Sequence, residues 1–237
     1  MRGAADIVKM IGNGKGRDIR PRPDFAPRPL PPDAPIGDRW KSVLARVPSR
    51  FRAHRLPLVA GLVARGAAVA EARAALEALV RGELLVVTLV GRSEAGKTSL
   101  VGALVALLCE LADAGDARAG VLARGLLWTD ELALSRARAS HKLGDGEAPL
   151  VERAVAAPLV VLDDLGQPTA GGQDEVIEVI WRRHQEERPL ILTTGQPREK
   201  LTPRYGDGIY RRIARDRSAR VIRCAEAKPK AEEGGAA

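Results

Sequence analysis

Apolar and polar positions along the chain fall into blocks that alternate between two periods. Short, continuous apolar runs at 84–90 (LLVVTLV), 159–162 (LVVL) and 190–192 (LIL) are bounded by turn-forming or charged residues. They predict strands buried on both faces, as in a parallel sheet. Between them the spacing turns helical. Leu100, Val101, Leu104, Val105, Leu108 and Leu111 share one side of a helix that ends near Ala114-Gly115. Val176, Ile177, Val179, Ile180 and Trp181 mark another over 174–187, closed by Pro189. Further signals predict a strand at 125–128, then a helix capped by Thr129 or Asp130 that runs to about Ser140. A loop at 141–148, a short helix at 151–155, a loop at 166–172, a helix from 198 and a last strand at 220–224 complete the pattern. Upstream, an amphipathic piece at 38–55 carries Trp40, Val43, Leu44 and Val47, with Phe51 expected in the core or, alternatively, over a nucleotide base. An Ala/Leu/Val-rich helical pattern at 58–79 is interrupted near Gly66 and stops at Gly82.

The turns between these blocks carry the chemistry. After the first strand comes Gly91-Arg92-Ser93-Glu94-Ala95-Gly96-Lys97-Thr98-Ser99, a G-x-x-x-x-G-K-T loop leading into a helix. Strand, glycine turn and helix form the context in which this motif binds phosphate. The glycines let successive N–H groups point at a nucleotide's phosphates, and the helix adds the positive end of its dipole. Lys97 is placed to reach the β and γ phosphates and Thr98 to hold Mg²⁺. Glu94 stands where ATPases usually carry glycine; its side chain can face solvent while the backbone binds. The run at 159–162 ends in Asp163-Asp164. A buried parallel strand delivers such a tip to the carboxyl edge of the sheet, where ligands bind. Asp163 is the candidate for the Mg²⁺ shell and Asp164 for orienting and deprotonating the attacking water. The strand at 190–192 continues into Thr193-Thr194, and Thr194 is the candidate polar sensor between loop and acids. The pattern predicts an α/β, P-loop NTPase fold: a three-layer, parallel, five-stranded sheet with helices on both faces.

Composition narrows this. A chain of 237 residues suffices for one α/β domain with appendages. Aromatic residues are only 3%, so the core is aliphatic. The formal charge of +8 favours a polyanionic partner, nucleic acid first. Cys109 and Cys224 offer neither metal spacing nor a disulfide framework, which fits a reducing cytoplasm. No leader is read, and no apolar run approaches the roughly 20 residues that span a bilayer, so no membrane partner is expected. Four regions are expected: a Pro-rich disordered arm at 1–38, a helical linker at 39–82, the nucleotide-binding core at 83–224 and a disordered tail at 225–237.

With these motifs in order, the chain resembles the AAA+ ATPases of the DnaC/IstB type, which are bacterial replicative-helicase loaders and transposition helpers. The resemblance covers about 48–224 and rests on 91–98, on VVLDDLG at 160–166, on RHQEERPLILTT at 183–194 and on 206–213. It implies an AAA+ module that hydrolyses ATP with Mg²⁺ at a subunit boundary in a homo-oligomer; the 25 residues after Arg212 leave no room for a helical lid, so a lidless module is expected. It further implies single- or double-stranded DNA and a replicative helicase or transposase as partners. Arg212 matches the arginine that such a subunit offers in trans to its neighbour's γ phosphate, with Arg211 as the adjacent candidate. Arg136, Arg138 and the arginines around Arg215 are candidate DNA contacts. The family usually ends its fourth strand in Thr-Asn or Ser-Asn, whereas this chain has Gly195 there. That departure motivates a second reading, a nucleotide-dependent binding switch with little hydrolysis. A third, a P-loop kinase or GTPase, lacks the guanine-reading Asn-Lys-x-Asp and any lid.

Overall fold

The computed structural model describes residues 41–52, 66–141, 146–167 and 173–224, all within the unit Pro31–Ala237. The arm at 1–38, the tail at 225–237 and the first part of the helix at 58–79 lie outside the described residues. A 3-10 turn at Ser49–Phe51 precedes helix α1 (Gly66–Arg81). Then follow β1 (Val86–Val90), α2 (Lys97–Asp113), α3 (Ala117–Arg124), β2 (Leu126–Asp130), α4 (Glu131–Ala139), α5 (Pro149–Ala156) and β3 (Leu159–Leu165). The chain continues through α6 (Gln173–Gln185), β4 (Leu190–Thr194), α7 (Arg198–Tyr205), α8 (Asp207–Ala214) and β5 (Ala219–Arg223).

The five strands form one sheet in the order β2-β3-β4-β1-β5, and every pairing is parallel. Side chains alternate across a strand, so each apolar run feeds two cores. Val87, Leu89, Leu159, Val161, Ile191 and Ile222 pack on one face with α1, α2 and α3. Val86, Val160, Leu162, Leu190 and Leu192 pack on the other with α4 to α8. This explains why the strands read as continuous apolar runs. Helix α1 shares the first core, through Ala72, Leu76 and Leu79, with Val43 and Val47 from the segment before it. Phe51 packs against the same cluster, and its turn lies on Gly102 of α2, where an added Cβ would stand 2.9 Å from the Phe51 carbonyl oxygen. Phe51 thus sits half-buried at the margin of this core.

Helix α3 is an element that the sequence pattern did not reveal. Asp116 caps it by accepting a hydrogen bond from the Ala119 N–H at 2.8 Å. Asp130 caps α4 in the same way, settling the choice between Thr129 and Asp130. Arg183 and Arg188, the two arginines of the R-x-x-x-x-R-P stretch, close the C-terminal end of α5. Arg183 is fully buried and donates to the carbonyls of Ala154 (2.7 Å), Val155 (3.1 Å) and Ala157 (2.8 Å), and to Pro189 O (2.5 Å). Arg188 donates to Ala156 O. A helix end leaves four carbonyls without partners, and two guanidinium groups take up this one. Among the described residues no helical lid follows α8, and no helix is long and apolar enough to cross a membrane.

Candidate active site

The loop after β1 is fixed at both ends. Gly91 donates to Thr194 O at 3.2 Å, and Cys224 donates to Val90 O at 2.8 Å. A Cβ on Gly91 would lie 2.3 Å from Cys224 O, so this position admits only glycine. The loop closes at Gly96, left-handed at φ 76, from which α2 starts. No side chain caps α2, and its first turn holds no acid, so its N-terminal N–H groups are available to an anion. Lys97, only 8% exposed, curls back and donates to Gly91 O and Arg92 O, both at 2.8 Å. A buried ammonium held by carbonyls beside an uncapped helix start fits a phosphate chain. Arg92, Ser93 and Glu94 are exposed and Ala95 is buried; Glu94 turns its carboxylate outward at φ 66.

β3 brings the acids to the same edge. Asp163 Oδ1 accepts from the Thr98 hydroxyl at 3.1 Å, joining the acidic strand to the loop helix. It also accepts from the Thr193 hydroxyl at 2.6 Å, and that hydroxyl accepts from the Asp164 N–H at 2.7 Å. Burial raises the Asp163 carboxyl above the ordinary range. The hydrogen bonds from Thr193 and Thr98 oppose that shift, while the charges of Asp164 and Asp130 add to it. A carboxylate so crowded by negative charge, with a threonine hydroxyl beside it, fits Mg²⁺, which takes oxygen ligands.

Asp164 is an extra residue in the ladder. β3 pairs with β4 at Leu162↔Leu192 and again at Leu165↔Thr194, with a register shift between. Asp164 sits in that bulge at φ 58, exposed, and its Oδ2 accepts from Gln167 Nε2 at 2.6 Å.

The structure therefore gathers Lys97, Thr98, Asp163 and Asp164 around one edge and adds Thr193. Thr194 stands elsewhere. Fully buried, it donates to Leu165 O at 2.8 Å and accepts from Gln196 N–H at 3.0 Å, fastening β3 to β4. Thr193 is two residues from Ile191, which faces α2; Thr194 falls with Leu190 and Leu192 on the opposite face. Counting by twos from the apolar run would have selected Thr193. Gly195 is exposed beside the loop, and a Cβ there would meet only Gly91 O, at 3.6 Å. Arg212, in the last turn of α8, donates to Gly208 O in its own helix at 2.9 Å.

A parallel sheet in this order, with a phosphate loop after β1 and an acid pair at the tip of β3, defines a P-loop protein with the AAA+ fold. Within that class the chain shares its fold with DnaI, at 19% identity and a TM-score of 0.53, over 74% of this chain and 93% of DnaI. The DnaC helicase loader is similar at 24% identity and a TM-score of 0.48, over 62% of this chain and 85% of that one. AMPPCP-bound DnaA from Aquifex aeolicus is similar at 19% and 0.47, over 63% and 44%. No family model and no curated protein matches the chain.

Proposed function

We propose that the protein is an ATPase that works as a DNA-associated assembly factor, of the helicase-loader or transposition-helper kind. The observation that carries the reading is the meeting of Thr98 and Thr193 on one oxygen of Asp163, beside a loop that buries Lys97 without an acidic partner in its helix turn. In this reading Lys97 and the N–H groups of residues 91–99 hold the triphosphate. Thr98 and Asp163 hold Mg²⁺, which supplies charge neutralisation on the phosphate oxygens. Asp164 takes the proton of the attacking water, and Thr193, touching both acids, takes the sensor position first assigned to Thr194. Arg212 serves the neighbouring subunit of a homo-oligomer. The fold likeness to DnaI and the motif likeness to the DnaC/IstB type support the assembly role. The net charge of +8 supports contact with DNA. Arg136 and Arg215 are exposed, whereas Arg138 pairs with Glu147.

Steady-state ATP turnover, with and without DNA, tests the reading against Lys97→Ala and Asp164→Asn. Wild-type turnover above both variants, rising with DNA, is expected. Nucleotide binding with a wild-type rate no higher than theirs selects the second reading, a binding switch, which Gly195 favours by leaving the loop edge without a side-chain amide.

A further inference from the structure

Glu131 is the buried acid that the nucleotide site does not use. It opens α4 directly after Asp130 at the tip of β2, and it is 1% exposed. A carboxylate in a first helical turn ordinarily faces solvent and the helix dipole. Here both oxygens are engaged across the fold. Oε2 accepts from the backbone N–H of Gly166 at 3.1 Å and from the Tyr205 hydroxyl at 2.7 Å. Oε1 accepts from Arg204 Nε at 3.2 Å and Nη2 at 2.6 Å. Burial first, and Glu131 next, keep the Tyr205 hydroxyl protonated and therefore a donor.

The geometry points to Glu131 as a positioning residue for hydrolysis: it holds the turn after Asp164, through the Gly166 N–H, against Tyr205 and Arg204 of α7. The inference rests on the ATPase reading above. A buried ion pair is a poor way to gain stability, since apolar side chains would pack α7 as well. It is a good way to fix direction, because one carboxylate reads two side chains and a backbone N–H at once. That N–H lies two residues past Asp164, in the segment that leaves the bulge. An ångström of misplacement at a proton-accepting group is enough to slow a reaction. Lys97 and Thr98 make no hydrogen bond to the network, so binding of the phosphates is separate from it.

The test compares nucleotide affinity, measured with a fluorescent ATP analogue and Mg²⁺, with steady-state kcat. The proteins are the wild-type chain, Tyr205→Phe, Glu131→Gln, Glu131→Ala and Lys97→Ala. Tyr205→Phe and Glu131→Ala are expected to lower kcat by about tenfold or more while affinity stays within about twofold. Glu131→Gln, which keeps an acceptor for the Gly166 N–H, is expected between them and wild type. Should Glu131→Ala fail to fold, Tyr205→Phe, which removes a single oxygen, decides. A Tyr205→Phe kcat within about twofold of a wild type that outpaces Lys97→Ala overturns this inference alone. Affinity and kcat falling together in every folded variant also overturns it, since a structural role would do that. A wild-type rate equal to that of Lys97→Ala overturns the ATPase reading and this inference with it.

Discussion

The hydroxyl of Thr193 donates to Asp163 Oδ1 at 2.6 Å, and with its remaining lone pairs it accepts the N–H of the next acid, Asp164. One atom on β4 thus ties the carboxylate of the first acid to the backbone of the second on β3. Thr193→Val should lower ATP turnover by at least about tenfold. Thr194→Val should instead cost about 1–3 kcal/mol of stability, because it strands Leu165 O and the Gln196 N–H, and should leave turnover within about threefold. Turnover assays and urea melts on the two variants check the contrast; equal turnover losses would overturn the assignment.

Gly195 stands beside the phosphate loop with room for a side chain. Gly195→Asn should place an amide near the attacking water and raise turnover about tenfold, with nucleotide affinity unchanged. Steady-state kinetics on this variant decide whether the missing amide limits hydrolysis.

Arg183 is buried among four carbonyls, and burial, with Arg188 beside it, pushes the guanidinium down to about 9, so it stays charged at neutral pH. Arg183→Met should destabilise the fold by about 2–5 kcal/mol, since it leaves the Ala154, Val155, Ala157 and Pro189 carbonyls without this donor. Urea denaturation measures it. Arg183→Lys, a single donor centre, should recover only part of the loss.

Burial pushes the Cys224 thiol up to about 11, against the opposing charge of Lys97. Between its ordinary value and that one the folded state keeps a proton that the unfolded state releases. Stability should therefore fall as pH rises through that window. Cys224→Ala should flatten this part of the profile, as read by denaturant melts at about pH 8 and about pH 10.5. At about pH 8 iodoacetamide should label Cys224 no faster than the protein opens.

Much of this site could be read from the sequence because its chemistry is local. A phosphate loop needs its glycines and lysine at fixed spacing, and a buried strand has to end where its charges begin, so 91–99 and Asp163-Asp164 were visible before any fold. What escaped depends on distance or on parity. Helix α3 carries glycine at 120 and is flanked by Gly115 and Gly125, which obscured its period, although Asp116 capped it in plain view. Thr193 and Thr194 are chemically the same, and only the face of the strand separates them. Glu131 looked like any acid at a helix start. Its side-chain partners lie more than 70 positions later, and only the packing of α7 brings them to it. The R-x-x-x-x-R-P stretch stands in the sequence as a family likeness only, because its physical basis, the closing of α5, joins arginines to carbonyls 26 to 32 positions upstream.

The bulge at Asp164 has a wider consequence. Were Asp164 paired in a regular ladder, Leu165 would stand three positions after Leu162 and turn toward α2; the bulge takes up the extra residue, so Leu165 keeps its partner in β4 and its apolar surroundings. Asp164, the acid to which the proposal gives the attacking water, is therefore an insertion outside the load of the sheet. A substitution at position 164 thus changes a side chain that the sheet does not need, and the folded scaffold is expected to tolerate it whatever becomes of the proposed turnover.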